Sequence, residues 1–367
     1  MRYYNIVITD PTTGQVLVPD PSGNVGFIYT GGASATSGSG APVSFNGPPP
    51  ASASTFTSLV NGVTLPGALN IELDVPVYDF ANPTGAAVLR VWGVGLKQIG
   101  QSSDMNGKTI QIYAGMAKGL PLANPAQAGL ILQGTIFQAF GNWQGVNQTL
   151  DFVIYPQTGS ADSPMNIVLD WKAGAPLSTA IGTTLQTAFP TYTQTINISP
   201  NLVLPNDEPG YYQSLAQFSR YISDISKKII GGTYSGVRII IKNGAFYVYD
   251  GTTPTTPKPI VFTDLIGQPT WIDLATIQIP CVLRADLQVG DYISMPQTQV
   301  ITSAQSYSQY RNSLVFQGSF QIVYVRHVGN FRQPDGTSWI TVINAVTVPS
   351  TAGSATTGSG APVAFNG

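Results

Sequence analysis

One cysteine and one histidine occur in 367 residues, and Asp, Glu, Lys and Arg together make up only 9% of the chain. The single thiol, Cys281, excludes an internal disulfide, and no CxxC pair is present to hold a metal. With His327 as the only imidazole, a Ser-His-Asp triad would have to be built on it, yet no GxSxG motif surrounds a serine. Both residues are read as packed: Cys281 as a small apolar side chain in a strand over 277–283, His327 as a hydrogen-bonded strand histidine beside Arg326. Gly93-Val-Gly95 and Gly38-Ser-Gly40 lack the later glycine or lysine that cradles a phosphate. Sixteen basic residues against eighteen acidic ones leave no basic field for gripping nucleic acid. Apolar runs stay well short of the about 18 residues of a membrane span, so no membrane insertion is expected. The opening residues 1–5 are polar and aromatic rather than leader-like, which makes synthesis and folding in a cytoplasm the expectation. No catalytic residue, metal ligand set or cofactor is assigned.

What the chain has instead is apolar and neutral polar material: 43% hydrophobic residues, 39 Gly and 28 Pro. Charged residues usually make up about a quarter of a soluble domain, so large neutral surfaces that end against other subunits are expected. Residues 109–116 alternate Ile110, Ile112 and Ala114 with Thr109, Gln111 and Tyr113, and residues 130–140 repeat the alternation, so both are strands with two unlike faces. A Gly, Pro and Asn-rich loop over 119–129 joins them, and a third strand over 149–155 follows the turn at Gly141, Asn142 and Gly145. Shorter strands are expected at 3–9, 15–19, 25–30 and 88–94, with a short helix over 96–103. Residues 68–80 form a longer strand with Leu69, Ile71, Leu73, Val75 and Val77 on one face and Glu72 and Asp74 on the other. Paired carboxylates on one face fit an acid/base pair, a share of a calcium site, or a solvated or interface-facing strand. They have no clustered partners, and the last reading is taken.

The texture changes after residue 155. A strand over 166–171 is followed by a helix over 176–189, with Leu177, Ile181, Leu185 and Phe189 four apart. A second helix over 211–230 carries Leu215, Phe218, Ile222, Ile225 and Ile229 on one side, Lys227 and Lys228 in its last turn, and Gly231-Gly232 at its end. Asn243-Gly244 marks a hairpin between strands over 237–242 and 245–249. All-β texture returns from residue 260.

Two internal repeats stand out. Residues 33–47, ASATSGSGAPVSFNG, return at 353–367 as GSATTGSGAPVAFNG, with twelve of fifteen positions identical. These arms read either as a duplicated flexible segment without a role or as docking arms whose Val43, Phe45, Val363 and Phe365 seat in equivalent grooves of a neighbour. The second repeat is fainter. Gln133-Gly134-Thr135 matches Gln317-Gly318-Ser319, and Gly141-Asn142-Trp143 matches Gly329-Asn330-Phe331. The expected fold is therefore mainly β, two diverged antiparallel barrels around a small α+β module. Residues 1–160 form the first barrel with an arm at 31–54, and 161–174 a connecting strand of the second. Residues 175–259 form the α+β module, 260–350 the second barrel, and 351–367 the C-terminal arm.

The strands IQIYAGM and ILQGTIF, the helices at Pro176 and Tyr211, and the later LRADLQVGDYI and FQGSFQIVYVRHVGNFR resemble the baseplate hub proteins of contractile-tailed bacteriophages. The resemblance spans about residues 69–348, while the Gly/Ser arms depart from the family pattern. It implies two tail-tube-like barrels per chain and a homotrimeric ring with pseudo-sixfold symmetry. That ring would sit between the tail tube protein and the central spike protein, with wedge or tape-measure proteins as further neighbours. It implies a virion location in the tail baseplate and a DNA conduit without specific DNA binding. A receptor-binding adhesin, or a tube or wedge protein, is the alternative.

Overall fold

The computed structural model describes residues 2–30, 54–60, 63–77, 86–116, 124–156, 166–190, 192–232, 234–242, 245–252, 256–296 and 319–347. In the first part, β1 (Arg2–Thr9), β2 (Val16–Pro19) and β3 (Phe27–Thr30) precede the short β4 (Phe56–Thr57), β5 (Leu59–Val60) and β6 (Val63–Thr64). Then come β7 (Asn70–Val77), β8 (Ala87–Trp92), α1 (Leu96–Gly100), β9 (Thr109–Met116), β10 (Gly129–Gln144) and β11 (Asn147–Tyr155). The middle holds β12 (Ile167–Trp171), α2 (Leu177–Ala188), β13 (Thr193–Asn197), β14 (Glu208–Tyr212), α3 (Leu215–Ile230), β15 (Arg238–Lys242) and β16 (Ala245–Tyr249). The last part holds β17 (Lys258–Pro259), β18 (Thr270–Trp271), β19 (Thr276–Val282), β20 (Tyr292–Ser294), β21 (Ser319–Asn330) and β22 (Trp339–Thr347).

The alternation of β7 works as the pattern demands: Ile71, Leu73, Val75 and Val77 are buried, and the residues between them are only partly so. The same physics builds two copies of one arrangement. Strands β7 to β11 lie side by side in the order β7-β8-β11-β10-β9, and strands β18 to β22 in the order β18-β19-β22-β21-β20. Every neighbouring pair in both runs is antiparallel. The mainly β expectation therefore holds, and the faint sequence repeat has a counterpart in topology.

The two expected barrels are not separate closed sheets. One 15-stranded sheet runs through both runs, because β7 pairs antiparallel with β21 from Glu72↔Asn330 to Val77↔Val325. No sheet closes on itself among the described residues. Strand β21 serves two partners along one side, β20 at Ser319–Gln321 and β7 at Val325–Asn330. The cores interdigitate as well. Leu283, Ala285 and Trp339 pack into the cluster of the first part, and Val77 into that of the last.

The α+β module has its own core, with Trp171, Leu177, Ile181, Leu185, Phe218, Ile222, Phe246 and Val248 at its centre. Its three-stranded sheet runs β13-β16-β15, with β13 and β16 parallel. The expected hairpin forms, with Lys242 facing Ala245, while its turn residues 243 and 244 lie outside the described residues. Two elements differ from expectation. Strand β12, expected as part of the second barrel, pairs with β14, and Ile167, Leu169 and Trp171 belong to the module core. Helix α3 starts at Leu215 rather than Tyr211, because Ser214 caps it by accepting from the Gln217 amide at 3.2 Å and the two tyrosines are taken into β14. Its end is as expected: Gly231 adopts φ +71°, a left-handed conformation that glycine takes at no steric cost.

Candidate assembly interface

The residues with chemical potential are occupied with holding strands together. His327 is fully buried, opposite Val75 and Thr341 on the neighbouring strands, with Nδ1 2.9 Å from the Thr341 hydroxyl. Cys281 donates to the Thr341 carbonyl at 3.3 Å, and burial pushes its thiol up to about 12. Such a thiol carries almost no thiolate at neutral pH. Among the described residues no group of three or more His, Cys, Asp or Glu is placed to hold a metal ion, and no helix is long and apolar enough to cross a membrane.

Glu72 and Asp74 face another strand rather than solvent alone. Asn330 donates to Glu72 at 3.0 Å, and Arg326 makes a two-point contact with Asp74 at 2.8 and 2.6 Å. The Arg326–Asp74 pair is nearly half exposed, so it contributes about 0–1 kcal/mol. More of the junction's strength comes from its apolar and backbone contacts. Trp339 is buried over Gly329 and donates its indole N–H to the Gly115 carbonyl at 3.0 Å. Phe331 packs edge-on to Tyr4 with ring centres 4.9 Å apart, and its amide donates to the Ile71 carbonyl.

A second link between the parts rests on a buried ionic network of the last part. Arg284 is 3% exposed and donates to Asp264 at 2.8 Å, to both oxygens of Asp286 at 3.0 and 2.7 Å, and to the Pro259 carbonyl at 3.0 Å. Burial alone would lower the guanidinium pKa, but the two carboxylates outweigh it and the net shift is upward. Asp264 also accepts from Gln127 of the first part at 3.1 Å, and the Gln127 carbonyl accepts from the Ala285 amide at 2.7 Å.

The structure gives the Gly-Asn-aromatic repeat a shared geometry and one difference. Asn142 donates to Asp151 at 2.5 Å as Asn330 does to Glu72, and each preceding glycine lies beneath an apolar side chain, Ile99 over Gly141 and Trp339 over Gly329. The aromatic residues part company: Phe331 is packed in the junction, whereas Trp143 is 64% exposed. Gln317 and Gly318 of the other matched segment lie outside the described residues, where β21 begins at Ser319. In the first copy, a side chain at Gly134 would run into the Tyr155 carbonyl and Ile154, which accounts for glycine there.

Trp143 belongs to an edge without a strand partner among the described residues. Beyond Thr135, β10 has left β9, and among the described residues the backbone of its far side meets the Gly107–Lys108 turn at Ile136 and Asn106, which accepts from the Ala139 amide. By the alternation of an antiparallel strand, the backbone groups of Gly141 and Trp143 face the same way as those of Ala139 and meet no backbone partner among the described residues. Phe137, Phe140, Trp143 and Val146 are exposed along this hairpin. At the β18 end of the sheet Val261, Phe262, Ile272 and Leu274 are exposed, Leu274 completely. The expected docking residues Val43, Phe45, Val363 and Phe365 lie outside the described residues. Sequence reasoning missed the exposed aromatic edge, although its signal was present in an apolar hairpin tip without charges.

No protein-family model matches the chain, and no curated protein matches it in sequence. Solved structures do match. One is a component of the E. coli type VI secretion system, described as similar to T4 bacteriophage tail proteins gp27 and gp5; identity is 9%, coverage 77% of this chain and 74% of that one, and the TM-score 0.45. A tail protein from Neisseria meningitidis aligns over 76% of this chain and 91% of its own at 10% identity and a TM-score of 0.45. A prophage tail protein from Shewanella oneidensis aligns over 78% and 94% at 8% identity and a TM-score of 0.47.

Proposed function

We propose that this chain is a non-catalytic structural hub of a contractile tail, three copies closing into a ring that adapts a sixfold tail tube to a threefold central spike and surrounds part of the DNA conduit. The observation that carries the reading is the five-strand order that occurs twice in one chain and is joined into one sheet through β7 and β21. Two like units per chain supply six like surfaces from three chains, which is what a trimer needs to face a hexamer. The hub-like segments of the sequence support the same reading, and so does the scarcity of Lys and Arg, since a conduit that holds few cations near phosphates lets DNA slide. Its partners are then the tail tube protein and the spike protein, with wedge or tape-measure proteins as further neighbours, and its place is the virion. The two arms, with Val43 and Phe45 in one and Val363 and Phe365 in the other, give each of the two units one docking segment.

Native mass spectrometry with negative-stain imaging of the purified chain tests the reading. A three-chain ring with an open centre is expected. A chain that stays monomeric and binds glycans would replace the hub with a receptor-binding adhesin.

A further inference from the structure

We propose that the face of the ring carrying the β10–β11 and β21–β22 turns receives the threefold partner, and that this partner seats an uncharged apolar surface on three copies of Trp143 and Val146. This rests on the ring reading above and assigns one face of the ring to one of its two neighbours.

The two turns project from the same end of the joined sheet. The register runs from Gln144↔Asn147 through Thr149↔Trp92 and Asn70↔Trp92 to Glu72↔Asn330 and Gly329↔Trp339, so both turns lie beyond one row of residues. Pairing bonds run across the strands, so units joined by strand pairing follow one another sideways and their strand ends point toward the two faces of a ring. At this end the equivalent turns differ in chemistry. Trp143 is largely exposed and Val146 almost fully so, and no charged residue occurs from Gly119 to Leu150. The Trp143 indole donates to the Gly145 carbonyl at 2.8 Å, which holds the exposed ring in one place. The longer second turn exposes Arg332, Gln333, Asp335 and Thr337 instead, while Phe331 is packed in the junction. Arg2 donates to the carbonyls of Asn330, Gln333 and Asp335, and Arg332 to those of Pro66 and Ala68, so this turn is held by its own chain. Three chains have true threefold symmetry and approach sixfold symmetry only where their two units are alike. On this face the ring therefore alternates three apolar turns with three charged ones, which a threefold partner can match and a hexamer of identical subunits would meet with three mismatched contacts. Apolar side chains exposed in a charge-free stretch gain most from burial against an equally uncharged surface.

The test places the photocrosslinker benzoylphenylalanine at position 146 of the full chain in assembled particles. Irradiation should give an adduct with a protein present at one copy per chain of the ring, and the native mass of that protein should correspond to three of its own chains. Trp143→Asp and Val146→Asp change exposed side chains, so the thermal midpoint and the three-chain mass of the purified ring should stay at wild-type values. Retention of the crosslinked protein in particles should fall at least about tenfold in each, as for loss of an interface anchor. An adduct with a subunit that assembles as a hexamer would overturn the assignment of this face and leave the ring reading standing. An adduct with a second copy of this chain, or none in particles that contain the chain, would overturn it too. So would unchanged retention in both Asp variants. A wild-type chain that is single both when purified and in particles would overturn the ring reading and the assignment together.

Discussion

Replacing Arg284 with Met probes the buried ionic network of the last part, whose Asp264 also accepts from Gln127 of the first part. The guanidinium is 3% exposed and Asp264 is equally buried, so neither charge has water to fall back on once its partner is removed. Met fills most of the volume but donates nothing, leaving Asp264 with only the Gln127 amide and the Val261 backbone N–H, and leaving the Pro259 carbonyl without this donor. Breaking a buried pair from one side costs about 3–5 kcal/mol, most of it the stranded charge. The assay is urea unfolding of Arg284→Met, Asp264→Asn and the double variant, read as a fall in midpoint at unchanged slope. The double variant should be less destabilised than the sum of the singles, because the stranded carboxylate is gone. Asp286, 27% exposed at its side chain, can rehydrate and should matter less. A loss below about 1 kcal/mol in Arg284→Met, the range of surface pairs, would refute the claim that Asp264 is left as a stranded buried charge.

Other outcomes follow from particular contacts. In Gly329→Ala the new methyl would sit 2.6 Å from Trp339 and 3.0 Å from Leu73, and overpacking of this kind costs about 1–3 kcal/mol, measured by thermal unfolding. Asp10 and Asp20 are each held down to about 2, chiefly by the Lys108 side chain and the Val25 amide respectively. Their folded pKa values lie below the unfolded value of about 3.9, so their stabilisation is present above pH 4 and is lost as pH falls from about 4 to about 2. Asp20→Asn should flatten that part of a plot of thermal midpoint against pH. Deleting residues 354–367 is expected to leave unfolding unchanged and to weaken incorporation into particles, read by particle composition; unchanged incorporation would remove the docking role of the arms.

Much of the local structure was legible because it depends on near neighbours. The strand at Thr109–Met116, the strand at Ile167–Trp171 and the end of α3 at Gly231 follow from alternation and from a helix-stop signal. The carboxylates of β7 were legible as solvated or interface-facing, but not which of the two, nor their partners, since Arg326 lies 252 residues from Asp74 and periodicity carries no information about pairing at that distance. For the same reason β12 was given to the wrong sheet: a five-residue strand does not encode which edge it joins. The Gly-Asn-aromatic repeat was readable as a duplication. That one aromatic is packed and the other exposed depends on what covers each copy, which only the folded chain reveals.

The pairing of β7 with β21 also sets a schedule for the growing polypeptide. Asp74 leaves the ribosome 252 residues before Arg326, which at about 5–20 residues per second is a wait of roughly 13–50 s. Throughout that interval an eight-residue strand of near-perfect alternation has one side without its native neighbour, the kind of template on which nascent chains of the same message can pair. Completion of the first part is thereby deferred until Arg326 has been translated, and yield in a heterologous host should respond to slower initiation or lower temperature more than to any change in the finished protein's stability.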